Sequence, residues 1–170
     1  MASYLSENVD LDGIDGKVPV KEIKNVYRCR DKNGKPYLLV VFTDGDSTAI
    51  PDNEHNRSVL KGAGIDVIEM NDIILVKLGE KISDAEAEEI VVAYVCTDKN
   101  GYSYVIIVMK DGSVQKVENN KANRDAIIGA GKVILNPWID EVTGKVIVEE
   151  HPESEMARRR DPSSELGSKI

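Results

Sequence analysis

The chain has 170 residues, 41% of them hydrophobic, which is enough to bury a core in one domain or in two small ones that share an interface. With 30 acidic against 22 basic residues the net charge is −8, and that excludes phosphate-backbone binding as the main task, because such binding needs a basic face to release counterions. The longest apolar runs, such as Val105 to Met109, fall far short of the roughly 20 residues of a membrane helix, and only two cysteines are present, so the expectation is a soluble cytoplasmic protein without a leader peptide, a membrane partner or a nucleic-acid partner.

Residues 1–20 are polar, with Asp and Gly recurring, and read as an N-terminal arm. Asp10 to Gly16 has the look of a calcium loop but lacks its ligand spacing and its distal glutamate, so a solvated arm and no metal are expected. From there the decisive feature is self-similarity. Shifting the chain by 67 positions aligns Glu22–Asp66 with Glu89–Val133 without a gap, with about 18 identities in roughly 45 positions. Among them are Cys29/Cys96, Asp31-Lys32-Asn33-Gly34 with Asp98-Lys99-Asn100-Gly101, Asp44-Gly45 with Asp111-Gly112, Asn56-Arg57 with Asn123-Arg124, and Gly62-Ala63-Gly64 with Gly129-Ala130-Gly131. A tandem duplication follows, with copies at 21–82 and 89–150.

Within the first copy, Tyr27–Arg30 and Tyr37–Thr43 are rich in β-branched and aromatic residues, and the Asn-Gly between them supplies the positive φ of a hairpin turn. Asp44-Gly45 reverses the chain into Ser47–Ile50. A short helix follows, started by Asp52 or Asn53, carrying Val59, Leu60 and Ala63 on its apolar side, and stopped by Gly62 or Gly64. Strands at Asp66–Glu69 and Ile73–Leu78 complete the unit. Ser83 caps an acidic linker over 83–88, and the second copy repeats the pattern to Lys145–Glu149. Residues 151–170 show hardly any apolar periodicity and read as a C-terminal tail. The expected fold is therefore α+β, mainly β: two β-β-β-α-β-β units packed about a pseudo-two-fold axis over one continuous core, flanked by extended arms.

Candidate sites are few. Cys29 and Cys96 occupy equivalent strand positions and lack the spacing of a zinc site, so they read as small buried residues. The Gly-Ala-Gly runs follow their helices, the wrong polarity for cradling a phosphate. His55 and His151 have no visible nucleophile to serve, and no hydrolase, Walker or metalloprotease motif occurs, so no catalytic residue and no cofactor is assigned. Asn56, Arg57, Asn123 and Arg124 form a repeated polar pair and offer equivalent contact points for a partner. Tyr37, Tyr104 and Trp138 add anchors of the kind that dominate interfaces. Arg158, Arg159 and Arg160 form a basic run in the tail.

A duplicated small β unit with an acidic surface and polar arms resembles, in organisation, the accessory structural proteins of bacteriophage particles, such as capsid decoration or head–tail components. That resemblance implies a non-enzymatic virion protein that joins a large oligomeric assembly through protein partners, terminal arms and sheet edges. The alternative is a soluble acidic inhibitor or regulator that occupies a basic site on a host protein.

Overall fold

The structure, a computed structural model, describes residues 7–160. Its main body is mainly β. In the first half run β3 (Ile23–Arg30), β4 (Pro36–Phe42), β5 (Ser47–Pro51), α1 (Glu54–Gly62) and β6 (Val67–Glu69), preceded by β1 (Asn8–Val9) and β2 (Val18–Pro19). After α2 (Asp84–Glu89) come β7 (Ile90–Thr97), β8 (Ser103–Met109), β9 (Val114–Glu118), α3 (Lys121–Gly129), β10 (Ile134–Ile139), β11 (Val146–Glu150) and α4 (Pro152–Arg160).

The ladders of the two halves agree residue for residue. Antiparallel β3–β4 pairs Arg30 with Pro36 and slips once between Ile23 and Asn25; β7–β8 pairs Thr97 with Ser103 and slips once between Ile90 and Val92. Parallel β6 joins β3 at Val26↔Val67, and parallel β10 joins β7 at Ala93↔Ile134. The halves meet where Arg30 pairs with Thr97, each 67 positions from the other.

Hairpin geometry departs from the sequence expectation in an informative way. The only residues at positive φ are glycines, so Asn33 and Asn100 stay in ordinary conformations and Gly34 and Gly101 alone take the left-handed one. Each hairpin is a three-residue loop, a tight turn followed by one left-handed glycine, closed by Asp31 N–H to Lys35 O at 2.8 Å in the first half. The buried Asp31 carboxylate accepts from the N–H groups of Asn33 and Lys35, and Asp98 accepts from Asn100 and Tyr102. The aspartate that opens the repeated tetrapeptide is thus its cap.

Strand alternation sorts the side chains into three layers. Tyr27, Cys29, Tyr37, Leu39 and Val41 from the first half meet Tyr94, Cys96, Ile106 and Val108 from the second in a central cluster. Val26, Leu38, Val40 and Ile50 face the other way, under Leu60 of α1. Ala93, Val105, Ile107 and Val117 do the same under Ile127 of α3. The single continuous core expected from sequence is in fact one shared layer plus one private layer per half, because every strand is apolar on both faces and each helix must cover the side its partner half does not.

The arms are not extended. β1 pairs with β2, and Val9, Leu11 and Val18 are buried in the first half's private layer. The tail expected over 151–170 contains α4, which leaves 161–170 outside the described residues. Helix formation needed no apolar stripe here, since polar contacts dock it: Arg124 grips Glu153, and Ser154 Oγ accepts from Ile134 N–H. Finally, Ile73–Leu78 is no regular strand. It touches β9 through one parallel bridge, Leu75↔Lys116, with Val76 N–H donating to Lys116 O at 2.8 Å. No helix among the described residues is long and apolar enough to cross a membrane.

Both cysteines are free and buried. Burial pushes the Cys96 thiol well above its ordinary range, and hydrogen bonding with Cys29 adds to that. A thiolate is the reactive form, so neither thiol should react with a disulfide reagent in the folded chain, and both should react once denaturant opens it. Rapid native labelling of either would show that the central layer opens readily.

Candidate protein-binding edges

The sequence pointed to Asn56-Arg57 and Asn123-Arg124 as equivalent surface contacts, and the structure separates them. Asn53 caps α1 by accepting from Asn56 N–H, and Asn120 caps α3 by accepting from Asn123 N–H, both at 2.8 Å. Beyond that the amides differ. The Asn56 side chain is fully buried: its Oδ1 accepts from Asp12 N–H at 2.7 Å, and its Nδ2 donates to Asp12 O and Pro51 O. Asn123 donates only to Glu118 O, the counterpart of Pro51 O, and lines a cavity of about 230 Å³ with Leu75 to Leu78. Asn56 is therefore an internal clamp on the N-terminal segment and not a partner contact.

The arginines hold their own helices. Arg57 Nη1 donates to the main chain and carboxylate of Asp52, each at 2.8 Å. Arg124 donates to Asn119, the position equivalent to Asp52, and adds a two-pronged contact with Glu153 of α4. Tyr37 is fully buried with its hydroxyl on Val95 O, and belongs to the core. Tyr104 is half-buried, with Lys116 Nζ 4.7 Å from its ring centre; that lysine is itself buried and donates to Met70 O. Trp138 is half-buried beneath Lys32, and its indole N–H, enclosed, meets no acceptor among the described residues. Arg158 pairs with Glu150 and Arg159 with Glu155, while Arg160 ends α4 with its side chain outside the described part. Of the ten residues named from sequence, none gathers with another into a shared reactive cleft. Among the described residues no three His, Cys, Asp or Glu side chains are placed to hold a metal.

His151 caps α4: its Nδ1 accepts from Glu153 N–H at 3.1 Å, which requires the unprotonated nitrogen. Burial holds its pKa below the ordinary range, despite the pull of Glu153. The Arg124 contact lowers Glu153, and the Arg158 contact lowers Glu150. Groups with depressed folded pKa values stabilise the fold above their unfolded values and lose that contribution as pH falls. Acidification should therefore loosen α4 in two stages, as His151 charges below its ordinary 6.5 and as the glutamates protonate below 4.5. Hydrogen-exchange protection in α4 should fall over that range before that of β4 and β8; equal protection at pH 7.5 and 4 would contradict this.

What the sequence reading did not single out are the sheet margins. Beside β9, Ile74, Leu75 and Val76 are 82%, 45% and 37% exposed, a run of apolar side chains laid along an edge. At the matching edge, β5 pairs only with β4. There an open groove of about 610 Å³ lies between Ala49, Pro51 and Asn53 on one side and Thr143 to Val146 on the other, with Asp12 and Asp15 at its rim. The signal available in the sequence was Pro51, which the interior of a sheet would not accept but an edge strand does.

The chain matches no known family model, no curated protein and no solved structure.

Proposed function

We propose that this chain is a non-enzymatic assembly protein, a tandem duplication whose two halves pack about a pseudo-two-fold axis and which docks on protein partners through its sheet margins. The observation that carries the docking is the exposed Ile74-Leu75-Val76 edge, since a strand margin with unpaired backbone groups and apolar side chains is a ready template for another chain. The duplication is supported by the constant offset of 67 through ladders, helices and caps, and by the pairing of Arg30 with its own counterpart Thr97. The offset also extends upstream. Val9 and Leu11 match Val76 and Leu78, and Leu11 and Leu78 pack under α1 and α3 respectively. Residues 75–88 thus stand where the N-terminal segment stands, and the unit begins near residue 8 instead of 21. The setting best suited to such a protein is an accessory place on a large particle, of the capsid-decoration or head–tail kind.

Native mass spectrometry and sedimentation test the reading. The chain should assemble beyond its 18.7 kDa monomer or co-sediment with a particle from the cells that make it, and Leu75→Lys should abolish either behaviour while leaving the fold intact. A monomer at every concentration that also captures no partner would overturn it. Capture of a basic protein that fades steeply with salt would instead favour the inhibitor reading.

A further inference from the structure

The two margins differ in one respect that points to a ligand. Closure of the β4–β5 loop by Phe42 N–H to Asp46 O fixes the parity of that ladder, so the Ala49 N–H and C=O point away from β4. The same parity turns Lys116 outward on β9, and there its carbonyl is taken by Val76 N–H, with Leu75 running parallel beside it. On β5 no strand takes that place. The N-terminal segment touches this strand only at Gly13, packed on Ile50 and Pro51, and Thr143 to Val146 form the far wall of the groove.

We infer that the β5 groove binds an extended peptide segment of a partner protein, added parallel to β5 along Ala49, carrying two adjacent apolar residues followed by a basic one. The chain itself supplies the template: Leu75-Val76-Lys77 on β9 occupies the matching position. In the same register the basic residue falls beside Pro51, where Asp12 lies at the rim, hydrogen-bonded to Asn53 and open to solvent. The backbone supplies affinity and the pair of apolar side chains plus the charge supplies selectivity. This deepens the assembly reading and rests on it, because it names the kind of segment by which a partner is held.

The probe is a synthetic peptide of the sequence 72–79, labelled for fluorescence anisotropy and added to the full chain. Saturable binding is expected, with amide shifts in an NMR spectrum confined to Ser47–Pro51 and Thr143–Val146, and none from a scrambled peptide. Ala49→Pro removes the outward donor and should weaken binding about tenfold, the equivalent of one hydrogen bond left unmade. Should that variant fail to fold, Asp12→Lys provides an independent test. Its backbone stays clamped by Asn56, and it should reject the peptide yet accept one in which glutamate replaces the lysine. Absence of binding, or shifts centred on β9, would overturn the groove. Assembly that persists with the groove silent would sink this inference alone, whereas loss of both would sink the assembly reading too.

Discussion

Replacing Gly45 by alanine should cost about 3 kcal/mol or more, whereas the same change at Gly34 should cost about 1 kcal/mol. Both glycines sit at positive φ, +91° and +81°, and both pay the penalty an L side chain meets there. They differ in surroundings. A Cβ on Gly34 would meet nothing within 4 Å, but one on Gly45 would lie 2.7 Å from the Lys110 carbonyl oxygen and 3.0 Å from its Cα. Those are backbone atoms of the opposite half and cannot swing aside, so the added methyl must push the halves apart. Gly112 makes the reciprocal approach, 3.1 Å from Phe42 O, but its nearest neighbour is the flexible Lys24 side chain at 2.7 Å, which can move. The expected order of destabilisation in denaturant titrations is Gly45, then Gly112, then Gly34. Equal losses at Gly45 and Gly34 would mean that the two Asp-Gly turns do not hold the halves in contact.

That contrast also marks the limit of what the residues disclosed. The Asp-Gly pairs were legible as turns because φ preference is local, but their closeness across the halves depends on how two sheets meet. The strands, both principal helices and the caps Asn53, Asn120 and Ser83 were readable for the same local reason. The ends of the unit were not. Val9 and Leu11 are spaced apart by a charged residue within a polar arm, and their burial follows only from an amide 44 residues away in α1. α4 escaped notice because its attachment is by Arg124, Ser154 and the His151 cap instead of an apolar face. Ile73–Leu78 read as a strand through its β-branched content, yet its hydrogen-bonding partner is a single residue of the other half. Of the candidate contacts, Tyr37 and Asn56 were misplaced on the surface because residue type reports polarity and size, and neither tells which hydroxyl or amide finds its partners inside.

Truncating Asn56 should then be far more damaging than truncating Asn123, although the two are identical residues at matching positions. Asn56→Ala deletes the acceptor for Asp12 N–H and the donor for Asp12 O and Pro51 O, leaving main-chain groups unpaired at a buried site. A loss of about 3 kcal/mol is expected from that, and the segment carrying Val9, Leu11 and Val18 should detach from the private layer under α1. Asn123→Ala removes one half-exposed bond to Glu118 O and leaves the Asn120 cap in place, so about 1 kcal/mol is expected. Hydrogen exchange adds the spatial test. In Asn56→Ala, protection should be lost first across residues 8–18, while β7 and β8 stay protected; in Asn123→Ala no segment should open selectively. Asn56→Asp should fall close to the alanine variant, since a carboxylate keeps the acceptor but presents negative charge to the Asp12 and Pro51 carbonyls that Nδ2 now satisfies. If the two alanine variants were equally stable, the clamp would carry no more than an ordinary surface amide, and the N-terminal segment would have to be held by its apolar side chains alone.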